Sequence, residues 1–353
     1  MAWPGVAFAL VSALLFGAST PFAKLLLGGV NPWLLAGLLY LGSGLGLGLV
    51  SLVRNAIGLR RTEASLVRGD LFWLALIVFF GGMLGPLLLM LGLTHTPAAS
   101  AALLLNLEGL ATMVIAWIVF HENVDARLLV GAFAILAGAL LLSWQEGPGG
   151  TGIGALAIAG ACLAWGIDNN LTRKLSAADP VQIAMIKGIV AGAMNFALAL
   201  ATGAHLPDAA TISGAGIVGF LGYGVSLVLF VLALRHLGTA RTGAYFSTAP
   251  FVGALLALFM FRESLTARFV IAGALMALGL YLHLSETHEH EHMHEALDHE
   301  HKHVHDAHHQ HQHGPNDPPG EPHSHRHHHA PLRHAHPHYP DVHHRHEHLK
   351  EAG

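Results

Sequence analysis

The feature that most constrains this chain is a series of ten apolar runs between residues 5 and 284, each near the roughly 17 to 25 residues that an α-helix needs to cross about 30 Å of hydrocarbon. The runs cover residues 5–27, 33–53, 71–93, 98–120, 128–144, 152–171, 181–201, 212–234, 242–261 and 269–284. Many of the connections are shorter than ten residues, so neighbouring helices must run antiparallel and no soluble domain fits between them. Only 11% of the residues are charged, against about one quarter in a soluble protein, which agrees with a chain solvated by lipid. The first run lacks a basic flank and exceeds the apolar length of a signal peptide, so it reads as a retained span. The expected fold class is an all-α polytopic membrane protein with ten transmembrane helices.

The last 69 residues, 285–353, are of another kind. They hold 24 of the 29 histidines, with 5 Lys and Arg against 12 Asp and Glu, whereas residues 1–284 hold 13 against 10. So few apolar side chains cannot offset the entropy of ordering the segment, and a disordered C-terminal tail is expected. No basic stripe exists, so no nucleic acid is expected as a partner. The lone cysteine, Cys162, excludes an internal disulfide and a Cys-based zinc finger.

A shift of 141 positions lays residues 92–141 over residues 233–282 with ten identities. Half are Ala or Leu and carry little weight. Phe120-His121-Glu122 against Phe261-Arg262-Glu263, followed in both by Ala-Arg, carries more. A second echo pairs Phe16-Gly17 and Lys24 with Trp165-Gly166 and Arg173. These matches divide the chain into a first five-helix repeat at 1–145 and a second at 146–284. Five is odd, so equivalent loops must lie on opposite sides of the membrane, an inverted repeat of the kind that places a site at the midplane between halves. With both termini in the cytoplasm, the inside loops hold nine basic residues and the outside loops three, Lys24, Arg262 and Arg268.

On these residues the chain resembles the EamA-type ten-helix transporters of the drug/metabolite transporter superfamily. The resemblance covers residues 1 to about 284. It rests on the aromatic-glycine pairs Phe16-Gly17 and Trp165-Gly166, on the run from Ala98 to Glu108, and on Glu122 and Glu263 leading into Gly-rich fifth spans. Pro250 fits a proline common in the family, where the first half has Gly109. The resemblance implies a secondary transporter, usually an exporter of small metabolites, in a bacterial inner membrane, and no enzyme activity.

Glu108 falls near the middle of the fourth run. An ionised carboxylate there costs roughly 2.5 to 3.5 kcal/mol on insertion scales, so it should face the bundle interior and serve as a proton carrier or counter-ion. The plainer reading is a carboxyl hydrogen-bonded to Asn106. Asp168 and Lys187 should sit at similar depth on antiparallel sixth and seventh spans, close enough to pair. Asn169, Asn170 and Asn195 are expected to line the same cavity. Glu122 and Glu263 read first as acidic residues favoured by helix N-termini.

In the tail, imidazoles recur at every second residue, interleaved with carboxylates. His288, His290, His292, His294, His299, His301, His303 and His305 form the densest stretch and would suit Zn, Ni or Co. Three H-E-x-x-H matches there arise from the density of histidine, not from a protease helix. No cofactor is required by the spans. The functional expectation is a secondary exporter of a small solute, first a divalent metal ion with the tail as buffer or sensor. The alternatives are export of organic metabolites beside an unrelated metal-binding tail, and a membrane metal reservoir that does not transport. The partners expected are the lipid bilayer, the solute or metal ion, and a second copy of the chain in a homodimer.

Overall fold

The structure is a computed structural model that describes residues 3–57, 66, 68–120, 126–143, 152–172, 175, 178–284, 289–294, 297–303, 323–329 and 332–337. Helix α1 (Trp3–Leu26) turns into α2 (Pro32–Ala56) through Gly29, whose φ of 99° lies in the left-handed region that glycine adopts freely. Asn31 caps α2, its side chain accepting from the amides of Trp33 at 2.9 Å and Leu34 at 3.4 Å, and Pro32 opens the helix where no donor is needed. The third apolar run is irregular. It comprises α3 (Leu71–Ile77), a π-helical segment (Val78–Leu84) and α4 (Gly85–His95). The fourth is broken at Leu105 into α5 (Ala98–Leu104) and α6 (Asn106–Phe120). Then follow α7 (Ala126–Ser143), α8 (Ile153–Thr172) and α9 (Pro180–Ala201). The eighth run repeats the irregularity of the third, with α10 (Ala209–Gly219), a second π-helical segment (Phe220–Val225) and α11 (Ser226–Phe246). The series ends with α12 (Ala249–Phe261) and α13 (Ala267–Leu284).

Among the described residues, seven helical stretches are long and apolar enough to cross a membrane: Gly5–Leu26, Pro32–Ala56, Arg68–His95, Ala98–Val119, Ala126–Ser143, Pro180–Ala201 and Ala209–Ala233. The ten expected runs are thus not all matched. The sixth run is α8, which carries Asp168, Asn169 and Asn170 near its end, and the last two runs give only the shorter apolar helices Ala249–Phe261 and Ala267–Leu282. The connection expected between the eighth and ninth runs, around Arg235 to Arg241, lies inside α11, so the eighth helix extends to Phe246 and the ninth starts at Ala249. Polarity alone marked that loop, and the stretch holds no helix-breaking proline.

The outward faces are apolar. Phe259 is 82% exposed, Leu156 69% and Phe133 68%, the reverse of a soluble protein and the pattern of side chains that meet lipid. Inside, small residues bring backbones together. At the α2–α9 crossing a Cβ on Gly188 would fall 2.5 Å from the backbone nitrogen of Gly44, so two glycines set the approach of these helices. Helix α1 packs on α11 and α12, α8 on α4 and α6, and α7 on α13.

Four short strands, β1 (Glu289–His294), β2 (Leu297–His303), β3 (His323–His329) and β4 (Leu332–Pro337), pair antiparallel as β1 with β4 and β2 with β3. Histidine at every second residue is a period of two, which suits an extended strand. His290, His292 and His294 lie on β1, and His299, His301 and His303 on β2, while His288 and His305 lie outside the described residues.

Candidate transport site

The polar centre of the bundle is built on the irregular turns. A π-helical segment inserts a residue into an α-helix and loosens its carbonyl ladder. At Val78–Leu84 the Gly81 carbonyl accepts from the Tyr40 hydroxyl at 2.7 Å and from the Trp165 indole at 3.1 Å, while the Gly82 carbonyl accepts from Asn195 Nδ2 at 3.2 Å. Neither Tyr40 nor Gly81 was singled out in the sequence. The signal available was the Gly-Gly-Met-Leu-Gly-Pro stretch from Gly81 to Pro86, unusual inside a span.

Against Gly81 lies an ion pair. Lys187 Nζ of α9 donates to Asp168 Oδ2 of α8 at 2.5 Å, and Asp168 Oδ1 accepts from Thr172 at 3.3 Å. Asp168 is 5% exposed and Lys187 8%, and a Cβ on Gly81 would land on the Asp168 carboxylate. The pair is therefore closed on itself, with no room left at the third helix.

Glu108 stands apart from that pair. It sits in the first turn of α6, just beyond the break, where the Glu108 amide donates to the Leu105 carbonyl at 3.0 Å. Its partner is Asn169 rather than Asn106. Asn169 Nδ2 donates to Glu108 Oε1 at 3.0 Å and lies 3.2 Å from Thr112 Oγ1, whose hydroxyl donates back to the Glu108 carbonyl at 2.9 Å. Asn106 instead donates to the Leu103 carbonyl at 2.8 Å and meets Met276 Sδ at 3.9 Å. Asn170 donates to the carbonyls of Thr112 at 3.1 Å and Gly166 at 2.8 Å, tying α8 to α6. The asparagines expected to share one cavity thus divide: Asn195 serves the π segment, Asn170 the helix contact, and Asn169 the carboxylate. Asn169 is exposed and Glu108 half-buried, while Asp168 and Asn170 beside them are buried.

Aromatic rings link helices distant in sequence. Phe16 of α1 meets Trp165 at 6.3 Å between centroids, Tyr223 at 6.0 Å and Phe246 at 5.3 Å, and Tyr40 meets Tyr223 at 5.4 Å. The Tyr223 hydroxyl is buried with no hydrogen-bond partner among the described residues. The glycines beside Phe16 and Trp165 have the same task. A Cβ on Gly17 would strike the Ala249 carbonyl at the start of α12, and one on Gly166 would come within 2.9 Å of Ala111 Cβ in α6.

At the end of the bundle where α1 finishes, Glu263 does not cap the helix that follows it. Its carboxylate accepts from the amides of Ala98 at 2.8 Å and Ala99 at 3.2 Å, the first residues of α5. Nothing in the spacing of the sequence shows that a helix 165 residues away receives the carboxylate. Lys24 donates to the carbonyls of Leu93 and Thr96 at the same corner. Glu122 and Arg173, their counterparts in the sequence repeat, lie outside the described residues.

Helices with apolar outer faces, interrupted at two π segments and at the α5–α6 and α11–α12 breaks around a polar centre, are those of a multi-pass membrane protein. The model of the EamA-like transporter family matches residues 3–144 and 152–285, and the chain belongs to that family. An uncharacterized transporter from Methanothermobacter thermautotrophicus (strain ATCC 29096 / DSM 1053 / JCM 10044 / NBRC 100330 / Delta H) is 27% identical over 294 residues, covering 77% of this chain and 84% of the relative. One solved crystal structure superposes with a TM-score of 0.59 at 18% identity, over 80% of this chain and 98% of that one, which is a likeness of fold.

Proposed function

We propose that the protein is a secondary transporter that exports a small organic solute bearing a cationic or hydrogen-bond-donating group. The observation that carries this reading is the accessible Glu108–Asn169 pair at a helix break. An exposed asparagine beside a half-buried carboxylate in mid-span is too costly against hydrocarbon, and belongs against water or cargo. The rings of Phe16, Trp165 and Tyr223 would receive the apolar part of such a solute. Asp168, Lys187, Asn106, Asn170 and Asn195 support the path by holding its walls.

The spans number ten in this reading, in two inverted halves at 1–145 and 146–284. Paired irregularities support it. A shift of 141 carries the first π segment, Val78–Leu84, onto 219–225, where the second lies at Phe220–Val225. It also carries the break at Leu105 to within two residues of the gap between α11 and α12. The Gly17 and Gly166 contacts are also paired, since Gly17 meets Val252 and Gly166 meets Ala111, with Ala111 and Val252 related by the shift of 141 and the two glycines by one of 149. Interrupted helices at matching positions are the arrangement that forms midplane sites in inverted-repeat transporters. The protein would lie in the inner membrane with both termini in the cytoplasm.

The tail histidines favour binding of Zn, Ni or Co, as a buffer beside the transporter. Within the spans, no group of three metal-ligating side chains gathers among the described residues, so the geometry favours organic cargo over metal cargo. The test compares cells with and without the gene for survival on organic amines, amino-acid analogues and Ni, Co and Zn salts, with internal levels measured. Resistance to an organic compound with unchanged internal metal is expected. Resistance confined to metals, and lost in Glu108→Gln, would replace this reading with metal export.

A further inference from the structure

The geometry points to a latch: Lys24 and Glu263 hold the α4–α5 corner shut at one end of the transport path, and their release moves Glu108 through α5. The inference rests on the transporter reading above.

A chain passing from one helix into another leaves carbonyls at the end of the first and amides at the start of the second without partners. At Thr96-Pro97 both sets are satisfied from elsewhere in the fold. Lys24, in the last turn of α1, donates to the Leu93 carbonyl and, at 3.1 Å, to that of Thr96. Glu263, between α12 and α13, accepts from Ala98 and Ala99. The two groups that grip the corner carry opposite charges, which favours holding both there. Three segments distant in sequence are thus joined by two charged side chains, both only half-buried.

Three observations distinguish this corner from a permanent joint such as Asp168–Lys187. Arg262, next to Glu263, has φ 49° and ψ 38°, and it is the one non-glycine residue with positive φ among those described. That left-handed conformation is unfavourable for a residue with a Cβ and persists where neighbouring contacts enforce it. Here it ends α12 directly before Glu263, whose two bonds fix the chain on its far side. The Thr96 hydroxyl is buried with no hydrogen-bond partner among the described residues, so the closed corner leaves one polar group unsatisfied. The two gripping side chains are only half-buried, whereas Asp168 and Lys187 are sealed.

Helix α5 connects the latch to the site. Its residues Ala98, Ala99 and Ala101 to Leu104 are buried, mostly small, and packed on α12. It ends at the break before Glu108, about 15 Å from Ala98 at 1.5 Å per residue. A short rod gripped at one end and hinged at the other transmits release of the corner to the carboxylate.

The test uses the full chain in lipid nanodiscs with Cys162→Ser and spin labels at His95→Cys and Leu265→Cys. Both positions are exposed, neither side chain takes part in the grip, and they lie on the two sides of it. Pulsed electron–electron resonance reads the distance between them. The unaltered latch should give one dominant short distance. Glu263→Gln and Lys24→Met should each raise the ratio of separated to closed molecules about tenfold, the effect of removing charge-assisted bonds made in one state only. Arg262→Gly removes the strain of the closed state without touching the bonds, and should lower that ratio. The Arg262→Gly result tests the latch even if a charge variant fails to fold. Unchanged distances in well-folded Glu263→Gln and Lys24→Met, or a rise in Arg262→Gly, would overturn the latch. The measurement needs no cargo, so its failure is separate from any failure of Glu108 to support transport.

Discussion

Replacing the two members of the buried ion pair, singly and together, gives a result that depends on sign as well as size. Asp168→Asn leaves the Lys187 ammonium buried without its 2.5 Å partner, and Lys187→Met leaves a carboxylate whose remaining bond is the 3.3 Å contact from Thr172. The surroundings cannot yield, because Gly81 already fills the space in front of the pair. Stranding a buried charge costs about 3 to 5 kcal/mol, whereas replacing both charges by neutral groups of similar volume is near neutral. At roughly 2 to 4 °C per kcal/mol, each single variant should lose at least about 6 to 12 °C in thermal midpoint and the double variant about 3 °C or less. Thermal unfolding of the four purified proteins in one detergent, followed by tryptophan fluorescence, reads this directly. A double variant that loses the sum of the single losses would refute the argument, since the residues would then act independently.

Other outcomes follow from the same geometry. Gly17→Ala and Gly166→Ala force a Cβ into the backbone of α12 or against α6 and should each cost about 1 to 3 kcal/mol, measured as a lowered thermal midpoint, whereas Gly109→Ala meets nothing within 4 Å and should be tolerated. Alkaline phosphatase fused after Leu284 should be inactive if the C-terminus is cytoplasmic, and strong activity would reverse the proposed topology. The full chain should bind several Ni or Zn ions at pH 7.5 and release them near pH 5.5, because imidazoles with pKa about 6.5 bind metal only when neutral. A chain ending after Ser285 should lose that binding and keep its organic transport, and equilibrium dialysis of both chains at the two pH values would show it.

Much of the architecture was legible because hydropathy is a property of long windows. The apolar runs marked most of the helices, and the second sequence echo, a shift of 149 positions, picked out Phe16-Gly17 and Trp165-Gly166, the pairs that approach α12 and α6. Depth counting was enough to bring Asp168 beside Lys187, since two antiparallel helices of known rise leave little freedom. What sequence could not supply was rotation about a helix axis. Asn169 and Asn170 are adjacent, yet one reaches Glu108 and the other the Thr112 carbonyl. Local breaks were hidden for a related reason: the π segments and the turn at Leu105 keep their apolar character, so hydropathy passes through them unchanged. Contacts of the Glu263 kind depend on which chain ends meet, and no local pattern encodes that.

Glu108, hydrogen-bonded to Asn169, is expected to meet the cargo. The most direct test is uptake of the organic compound found in the survival screen by proteoliposomes containing the wild-type protein or Glu108→Gln, at matched protein incorporation. The substitution keeps the shape and the contact with Asn169 but removes the carboxylate. Loss of nearly all uptake, with the thermal midpoint unchanged, is the result expected. Uptake by Glu108→Gln at the wild-type rate would contradict the account.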